Sequence, residues 1–369
     1  MEIIISILIA VAIVSGIGAA LALILVIAEH FLANYGRCKI TVNQQKEIEV
    51  DGGKSLLSAL VENKLFIPSA CGGRGTCGLC KLKALEGAGP LLPTEEPFLS
   101  AEERQTNTRL SCQIKIRNDI KIEISPDLLA IQEYTCECVD IIDLTYDIKL
   151  FRLKLLDPQT IDYIPGQYVQ LLTPIYEGST EEVYRAYSIA SDPNEKDIIE
   201  LIIRLVPEGI CTTYCFNYLK VPTQIRVNGP YGHFHLSDTD APIIFIAGGS
   251  GMAPIKCILH HMQNTGSKRQ AVYYFGANKV KELFLIEEMK AFETQLSDFK
   301  FVPVVAKPDQ DETWTGETGL VTDAVRRNIQ NAAQSEAYLC GSPGMIDASI
   351  KVLLELGLTE DKIFYDKFA

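Results

Sequence analysis

The chain has 369 residues, 47% hydrophobic and 22% charged, a globular composition with room for two or three domains. A net charge of −13 argues against nucleic acid as a partner, because phosphate binding needs clustered Lys and Arg; a soluble acidic face, or docking to a basic partner, fits better. Eleven cysteines, an odd number with no regular framework, argue against a disulfide scaffold in a chain of this length.

The first predicted element is a membrane span. Ile3 to Ala28 carry no charge over 26 residues, about 39 Å as a helix and enough for a ~30 Å hydrocarbon core. A cleaved signal peptide would show a basic leading region, and only Met1 and Glu2 precede the run. Arg37, Lys39 and Lys46 follow it, so the bias places the rest of the chain in the cytoplasm, as a single-pass inner-membrane protein. Small residues at four-residue spacing (Ser15 with Ala19, Gly16 with Ala20, Gly18 with Ala22) suit close approach of another helix, or reflect the general abundance of Gly and Ala in such spans.

From Cys38 to Ser125 the pattern is strand-rich. A hairpin is predicted over Lys39–Val42 and Glu47–Val50, a helix over Ser55–Asn63, and further strands over Leu110–Cys112 and Lys121–Ile124. Within it lies the run Cys71-Gly72-Gly73-Arg74-Gly75-Thr76-Cys77-Gly78-Leu79-Cys80, with Cys112 downstream. That spacing predicts a [2Fe–2S] centre, in which each iron takes two thiolates. The glycines allow a tight loop whose N–H groups turn toward the sulfurs. Structural zinc usually shows two short Cys pairs, and here there is one.

Short alternating stretches follow: Ile148–Leu155, Tyr168–Leu172, Arg185–Ile189, Ile198–Leu205 and Thr223–Val227, an antiparallel barrel. After Pro242 the texture changes. Strands over Ile243–Ala247, Ala271–Phe275, Phe301–Val305 and Glu336–Cys340 alternate with helices over Pro254–Gln263, Leu283–Gln295, Leu320–Ile329 and Gly344–Leu356, which predicts a doubly wound parallel sheet. Gly248-Gly249-Ser250-Gly251-Met252-Ala253-Pro254 follows its first strand, where a pyrophosphate can approach backbone N–H groups. A glycine turn alone is weak, and an ordinary strand-to-helix turn reads the same way. Gly276-Ala277-Asn278-Lys279-Val280 lacks the Arg commonly used for a 2′-phosphate, which favours NADH over NADPH. The five histidines show no ligand spacing.

Arg185-Ala186-Tyr187-Ser188 together with these later motifs resembles the ferredoxin–NADP reductase superfamily over residues 135 to 369. The resemblance implies FAD, with Tyr187 stacked on the flavin ring, Arg185 on the pyrophosphate and Ser188 near N5. Gly209, Cys211 and Thr212, in Gly209-Ile210-Cys211-Thr212-Thr213, are similar to the family's second flavin-phosphate turn, and Gly229 to Phe234 to its barrel-closing motif. Gly248, Gly249, Gly251, Met252 and Pro254 resemble its nicotinamide-dinucleotide loop, and Trp314-Thr315-Gly316 a later element. Cys340, Gly341 and Pro343 match the turn beside the nicotinamide, Phe368 the aromatic that shields the flavin, and Asp366 stands where many members have Glu.

The domain order resembles that of the F subunits of sodium-translocating NADH:quinone oxidoreductases. That implies an α+β and α/β multidomain chain: a transmembrane helix over 1–30, a β-grasp ferredoxin domain over 31–130 with Cys71, Cys77, Cys80 and Cys112 as ligands, an FAD-binding antiparallel β-barrel over 131–238, and a doubly wound NAD-binding domain over 239–369. The connection between Gln170 and Arg185 is shorter than that family's. The implied relay runs from NADH to FAD to the cluster and on to other membrane subunits of a quinone-reductase complex, with Ser188, Cys340 and Asp366 as polar neighbours of hydride transfer. An oxygenase or other acceptor protein is the alternative destination.

Overall fold

A computed structural model describes residues 2–32, 35–309 and 314–368. The chain divides into two compact units, Met1–Ala130 and Ile131–Ala369. The first opens with α1 (Glu2–Leu32), a 31-residue helix that is about 46 Å long at ~1.5 Å per residue. Its described apolar side chains, Leu8, Val14 and Leu21 among them, are exposed. Among the described residues no helix is long and apolar enough to cross a membrane.

Five strands follow in the first unit: β1 (Arg37–Val42), β2 (Lys46–Asp51), β3 (Lys81–Glu86), β4 (Thr108–Leu110) and β5 (Ile120–Glu123), in the order β2-β1-β5-β3-β4. Only β1 and β5 run parallel. The β1–β2 turn puts Asn43 and Gln44 at positive φ, and Asn43 ties the turn to Ile124 through its side chain. Helix α2 (Leu56–Glu62) starts where Ser55 Oγ accepts the Ser58 N–H at 3.1 Å, a cap worth about 1 kcal/mol. It lays Leu56, Ala59 and Leu60 on the sheet beside Ile40, Ile120 and Ile122. Two short helices, α3 (Ala101–Gln105) and α4 (Pro126–Leu129), complete the unit.

The second unit begins with six antiparallel strands: β6 (Gln132–Asp143), β7 (Ile148–Asp157), β8 (Tyr168–Thr173), β9 (Val183–Ser188), β10 (Ile198–Arg204) and β11 (Thr223–Tyr231), ordered β10-β7-β6-β11-β8-β9. An Ile189–Leu201 bridge joins the end of β9 to β10, the opposite edge of the sheet. Helix α5 (Ile210–Asn217) packs against β8 and β9.

The second sheet of this unit is parallel throughout. Its strands are β12 (Ile243–Gly248), β13 (Ala271–Ala277), β14 (Phe299–Val305), β15 (Glu317–Thr318), β16 (Glu336–Gly341) and β17 (Ile363–Lys367), ordered β15-β14-β13-β12-β16-β17. Helices α6 (Met252–Asn264), α7 (Ile286–Gln295), α8 (Val321–Asn328) and α9 (Pro343–Glu355) join them. Successive strands step outward from β12 to β15 and then return beside β12 as β16, so the switch point lies between the carboxyl ends of β12 and β16. One apolar core runs from Ile148, Leu150 and Ile202 of the first sheet to Phe245, Tyr273 and Tyr338 of the second.

Candidate active site and cluster loop

The four motif cysteines stand as two pairs, one of them formed through strand pairing. The β3–β4 register sets Lys81 opposite Leu110, and Ser111 then binds the Cys80 carbonyl through its N–H at 2.9 Å and its hydroxyl at 3.0 Å. Cys112 thereby reaches Cys80 across 32 positions of sequence. The loop between α2 and β3 holds Gly72, Gly73, Gly75 and Gly78 at φ +65°, +85°, +74° and +68°, where a Cβ is strained. Ser69 Oγ accepts the Gly73 N–H at 3.0 Å and fixes the entry.

Among the described residues no three metal-ligating side chains gather about one point. The four thiols stand as two pairs. Cys77 Sγ donates to Cys71 Sγ at 3.3 Å, which holds Cys71 down to about 3 against burial and pushes Cys77 up. Cys80 donates to Cys112 in the same way, raising its own value and lowering that of Cys112 to about 7. Two thiol pairs fit a two-iron core, with two ligands for each metal, better than a single tetrahedral ion.

In the second unit Arg185, Tyr187 and Ser188 lie on β9, with Ser188 buried opposite Tyr168 of β8. Arg185 Nη1 donates to the Tyr184 carbonyl at 2.8 Å. Gly209 caps α5, and the Thr212 hydroxyl folds back on the Val206 carbonyl at 3.1 Å, which shapes the turn. Cys211 connects the two elements. Burial raises its thiol, but hydrogen bonds from Cys215, Thr173 and Tyr187 outweigh burial and bring it to about 7, helped by the Arg185 charge. Burial, with Cys211 and Cys215 close by, keeps the Tyr187 phenol protonated. The five residues Arg185, Tyr187, Gly209, Cys211 and Thr212 thus form one group, an aromatic and a guanidinium beside the start of a helix, which suits a planar ring carrying phosphates.

The second group forms at the switch point. A Cβ at Gly251 would fall 2.2 Å from the Cys340 carbonyl oxygen, so only glycine lets the β12 loop close on β16. Gly248 sits where a Cβ would meet the Gly276 carbonyl and Met345 Sδ at 3.1 Å. Met252 and Pro254 begin α6, and Pro343 begins α9. The β16–β17 register sets Asp366 opposite Cys340, and Phe368 N–H donates to the Gly341 carbonyl at 2.8 Å. Burial pushes the Asp366 carboxyl up to about 6, and burial together with Asp366 keeps the Cys340 thiol protonated. Two helix starts bracketing this backbone cradle suit a dinucleotide.

Sequence reading misses the residues that tie the two sheets together. Lys256 on α6 is 5% exposed. Its Nζ reaches Glu200 Oε2 of β10 at 2.8 Å, Glu288 of α7 at 3.3 Å and the Ala190 carbonyl at 3.2 Å, two residues beyond Ser188. His260 adds Nε2 to Glu288 at 3.5 Å. The signal was a lysine inside the apolar run Ile255-Lys256-Cys257-Ile258-Leu259, since a buried cation requires partners.

Three family models match: the 2Fe-2S iron-sulfur cluster binding domain over residues 40–117, the oxidoreductase FAD-binding domain over 135–236 and the oxidoreductase NAD-binding domain over 245–351. The chain is therefore an iron–sulfur flavoprotein oxidoreductase that uses NADH, FAD and a [2Fe–2S] centre for electron transfer. It is 31% identical to the F subunit of the Na(+)-translocating NADH-quinone reductase of Serratia proteamaculans, over 98% of this chain and 99% of that one. The corresponding F subunit of Methylococcus capsulatus is also 31% identical, over 96% and 97%. The chain belongs to the family of F subunits of the Na(+)-translocating NADH-quinone reductases. Among solved structures, an Amycolatopsis cytochrome P450 reductase superposes with TM-score 0.71 at 27% identity, covering 90% of this chain and 98% of that one. A ferredoxin reductase in carbazole 1,9a-dioxygenase shares the fold at TM-score 0.68, 24% identity and coverage of 90% and 99%.

Proposed function

We propose that the chain is the NADH-oxidising subunit of a sodium-translocating quinone-reductase complex, anchored in the inner membrane by α1 with the remainder in the cytoplasm. Four parts divide the work: an anchor over 1–30, a cluster domain over 31–130, a flavin domain over 131–238 and a nucleotide domain over 239–369. The observation that carries this reading is coverage. The match to the Serratia F subunit takes in 98% of the chain, too much to leave out α1, whereas the P450 reductase covers 90%. Exposed Ile, Leu and Val along α1 suit a lipid environment.

When bound, the cofactors supply hydride acceptance at the flavin and one-electron passage at the cluster. The chain's own residues bind and orient. Tyr187 offers its ring to the flavin, Arg185 its charge to the pyrophosphate, and the Gly209, Cys211 and Thr212 turn takes the remaining phosphate contacts. The buried Ser188 hydroxyl would serve the flavin edge near N5. Gly248, Gly249 and Gly251, with Met252, Pro254, Gly341 and Pro343, let the dinucleotide approach the backbone. Cys340, which keeps its proton on Sγ, and Asp366 opposite it would neighbour the nicotinamide, and Phe368 would cover the flavin face. Cys71 with Cys77 and Cys80 with Cys112 would hold one iron each.

Fractionation tests the anchor. The full chain is expected in carbonate-washed membranes, and a variant lacking residues 1–32 in the soluble fraction with NADH-to-ferricyanide activity retained; a full chain recovered in the soluble fraction rejects the reading. An oxygenase or similar acceptor is favoured by one observation, the likeness to the P450 reductase. Quinone reduction that accelerates with sodium in membranes containing the chain, and stops on its deletion, separates the two.

A further inference from the structure

The fourth cysteine has a neighbour that the functional reading leaves unused. Gln113 follows Cys112 directly, and its Nε2 stands 3.6 Å from Cys112 Sγ. The other end of the amide is also engaged, since the Thr94 hydroxyl donates to Gln113 Oε1 at 2.9 Å. These two contacts decide which way the amide faces. Turned over, it would aim an oxygen at a sulfur that itself offers only lone pairs when ionised.

Thr94 is held in place by the residue after it. The Glu95 carboxylate is fully buried and accepts from Arg109 Nη2 at 2.6 Å, from the Leu110 N–H at 2.9 Å and from the Leu92 N–H at 3.0 Å. Arg109 also donates to the carbonyls of Gly89 and Pro90. The 89–95 loop is thus fastened to β4, the strand that leads into Cys112. Space for the amide is provided at position 75, where a Cβ would lie 2.5 Å from Gln113 Nε2. A buried ion pair, an oriented hydroxyl and a missing side chain therefore converge on one N–H and one sulfur.

We propose that Gln113, oriented by Thr94, donates an N–H···S bond to Cys112 and raises the reduction potential of the [2Fe–2S] centre. The inference rests on the reading of Cys112 as a cluster ligand. Reduction adds negative charge that spreads onto the sulfurs, so a donor aimed at one of them stabilises the reduced form more than the oxidised form. Gln113 is a positioning residue: it acts through Cys112.

Redox titration of the purified full chain, followed by the electron paramagnetic resonance of the reduced cluster, tests this. At the wild-type midpoint, Gln113→Leu is expected to lower the ratio of reduced to oxidised cluster about tenfold, which is about 59 mV downward for a one-electron couple. Gln113→Glu, which replaces the donor with a carboxylate oxygen, moves the midpoint further down. Thr94→Val, which keeps the amide and releases its orientation, moves it in the same direction by less. Midpoints equal to wild type in both Gln113→Leu and Thr94→Val overturn the proposal; should the leucine protein assemble no cluster, Thr94→Val alone decides. A wild-type chain with no iron–sulfur signal overturns the ligand assignment and this inference together, whereas a normal signal with unmoved midpoints overturns this inference alone.

Discussion

The two units build their sites by opposite means. In the first, three of the four cluster cysteines fall within ten residues of one loop, and the glycine conformations that shape it are local. Only Cys112 is delivered by strand pairing. In the second, no short segment contains the site. Ser188 and Asp366 are separated by most of the unit's length, and Gly251 meets Cys340 only because β12 and β16 are neighbours at the switch point. A loop-built site depends on a few backbone conformations; a scaffold-built site depends on the packing between two sheets, and so on residues that link the sheets, such as Lys256.

That contrast breaks most sharply at Cys112. Cys112→Ala should abolish the visible iron–sulfur absorption and electron passage to a cluster-dependent acceptor, while stopped-flow bleaching of the flavin by NADH stays within about twofold of wild type, because the residues that would bind flavin and nucleotide all belong to the second unit. Flavin bleaching as slow as in a Tyr187→Ala protein would show that the sites are not sequential stations. Next comes Gly251→Ala. Its new Cβ meets the Cys340 carbonyl oxygen, so the nucleotide loop must move; NADH-driven flavin reduction is expected to drop about a hundredfold, the usual consequence of an ångström-scale displacement. The cluster spectrum of that protein should be unchanged.

A smaller effect is expected between the two sheets of the second unit. Lys256→Met removes the buried cation from Glu200 and Glu288, leaving them Arg152 at 3.7 Å and His260 at 3.5 Å, and urea unfolding followed by flavin release should register a loss of about 3 kcal/mol. A transition unaltered by the substitution would mean that apolar packing alone joins the sheets. The smallest effect is pH-dependent. Burial raises the Asp366 carboxyl to about 6 in the folded chain, above the ~3.9 of an exposed aspartate. Its contribution is therefore complete below about pH 4 and lost as pH rises through about 6. Asp366→Asn, which cannot ionise, should be more stable than wild type by about 1–2 kcal/mol at pH 8, after allowance for partial exposure, with the advantage shrinking toward pH 4. Thermal melts at the two pH values check it, and an advantage that grew on acidification would reject the assignment.

The cysteine spacing and the β–α alternation were legible because each is periodic or local. The Ile243–Gly248 strand, its glycine loop and the helix after it lie close to where periodicity places them. Less was readable where tertiary pairing decides. β6 is the longest strand, yet Gln132–Asp143 interleaves charged residues with Cys136 and Cys138, a weak alternation that becomes clear only between β7 and β11. The Gly209–Thr213 segment reads as a turn but starts α5, whose Cys, Thr and Tyr are poor helix formers and whose stability comes from packing on β8 and β9. Helix α7 begins at Ile286 rather than Leu283 because Leu285 adopts φ +52°. The edge strand β17 escaped notice altogether, its polar Asp366 and Lys367 masking a register fixed by β16. In the first unit the four-cysteine spacing was plain, whereas the contact of Gln113 needed the 89–95 loop to be folded.

The seam that Lys256 makes has a bearing on ionic strength. Charges on the surface, such as the Arg37–Glu49 and Arg326–Glu355 pairs, are screened within about 8 Å at physiological salt. Lys256 and Glu200 are shut away from mobile ions, at 6% and 12% side-chain exposure. The alignment of nucleotide helix and flavin sheet is thus insulated from the salinity of the surrounding medium, while the acidic exterior of the molecule responds to it. For a chain proposed to work beside a changing sodium concentration, the internal geometry that hydride transfer depends on stays constant as the outer electrostatics vary.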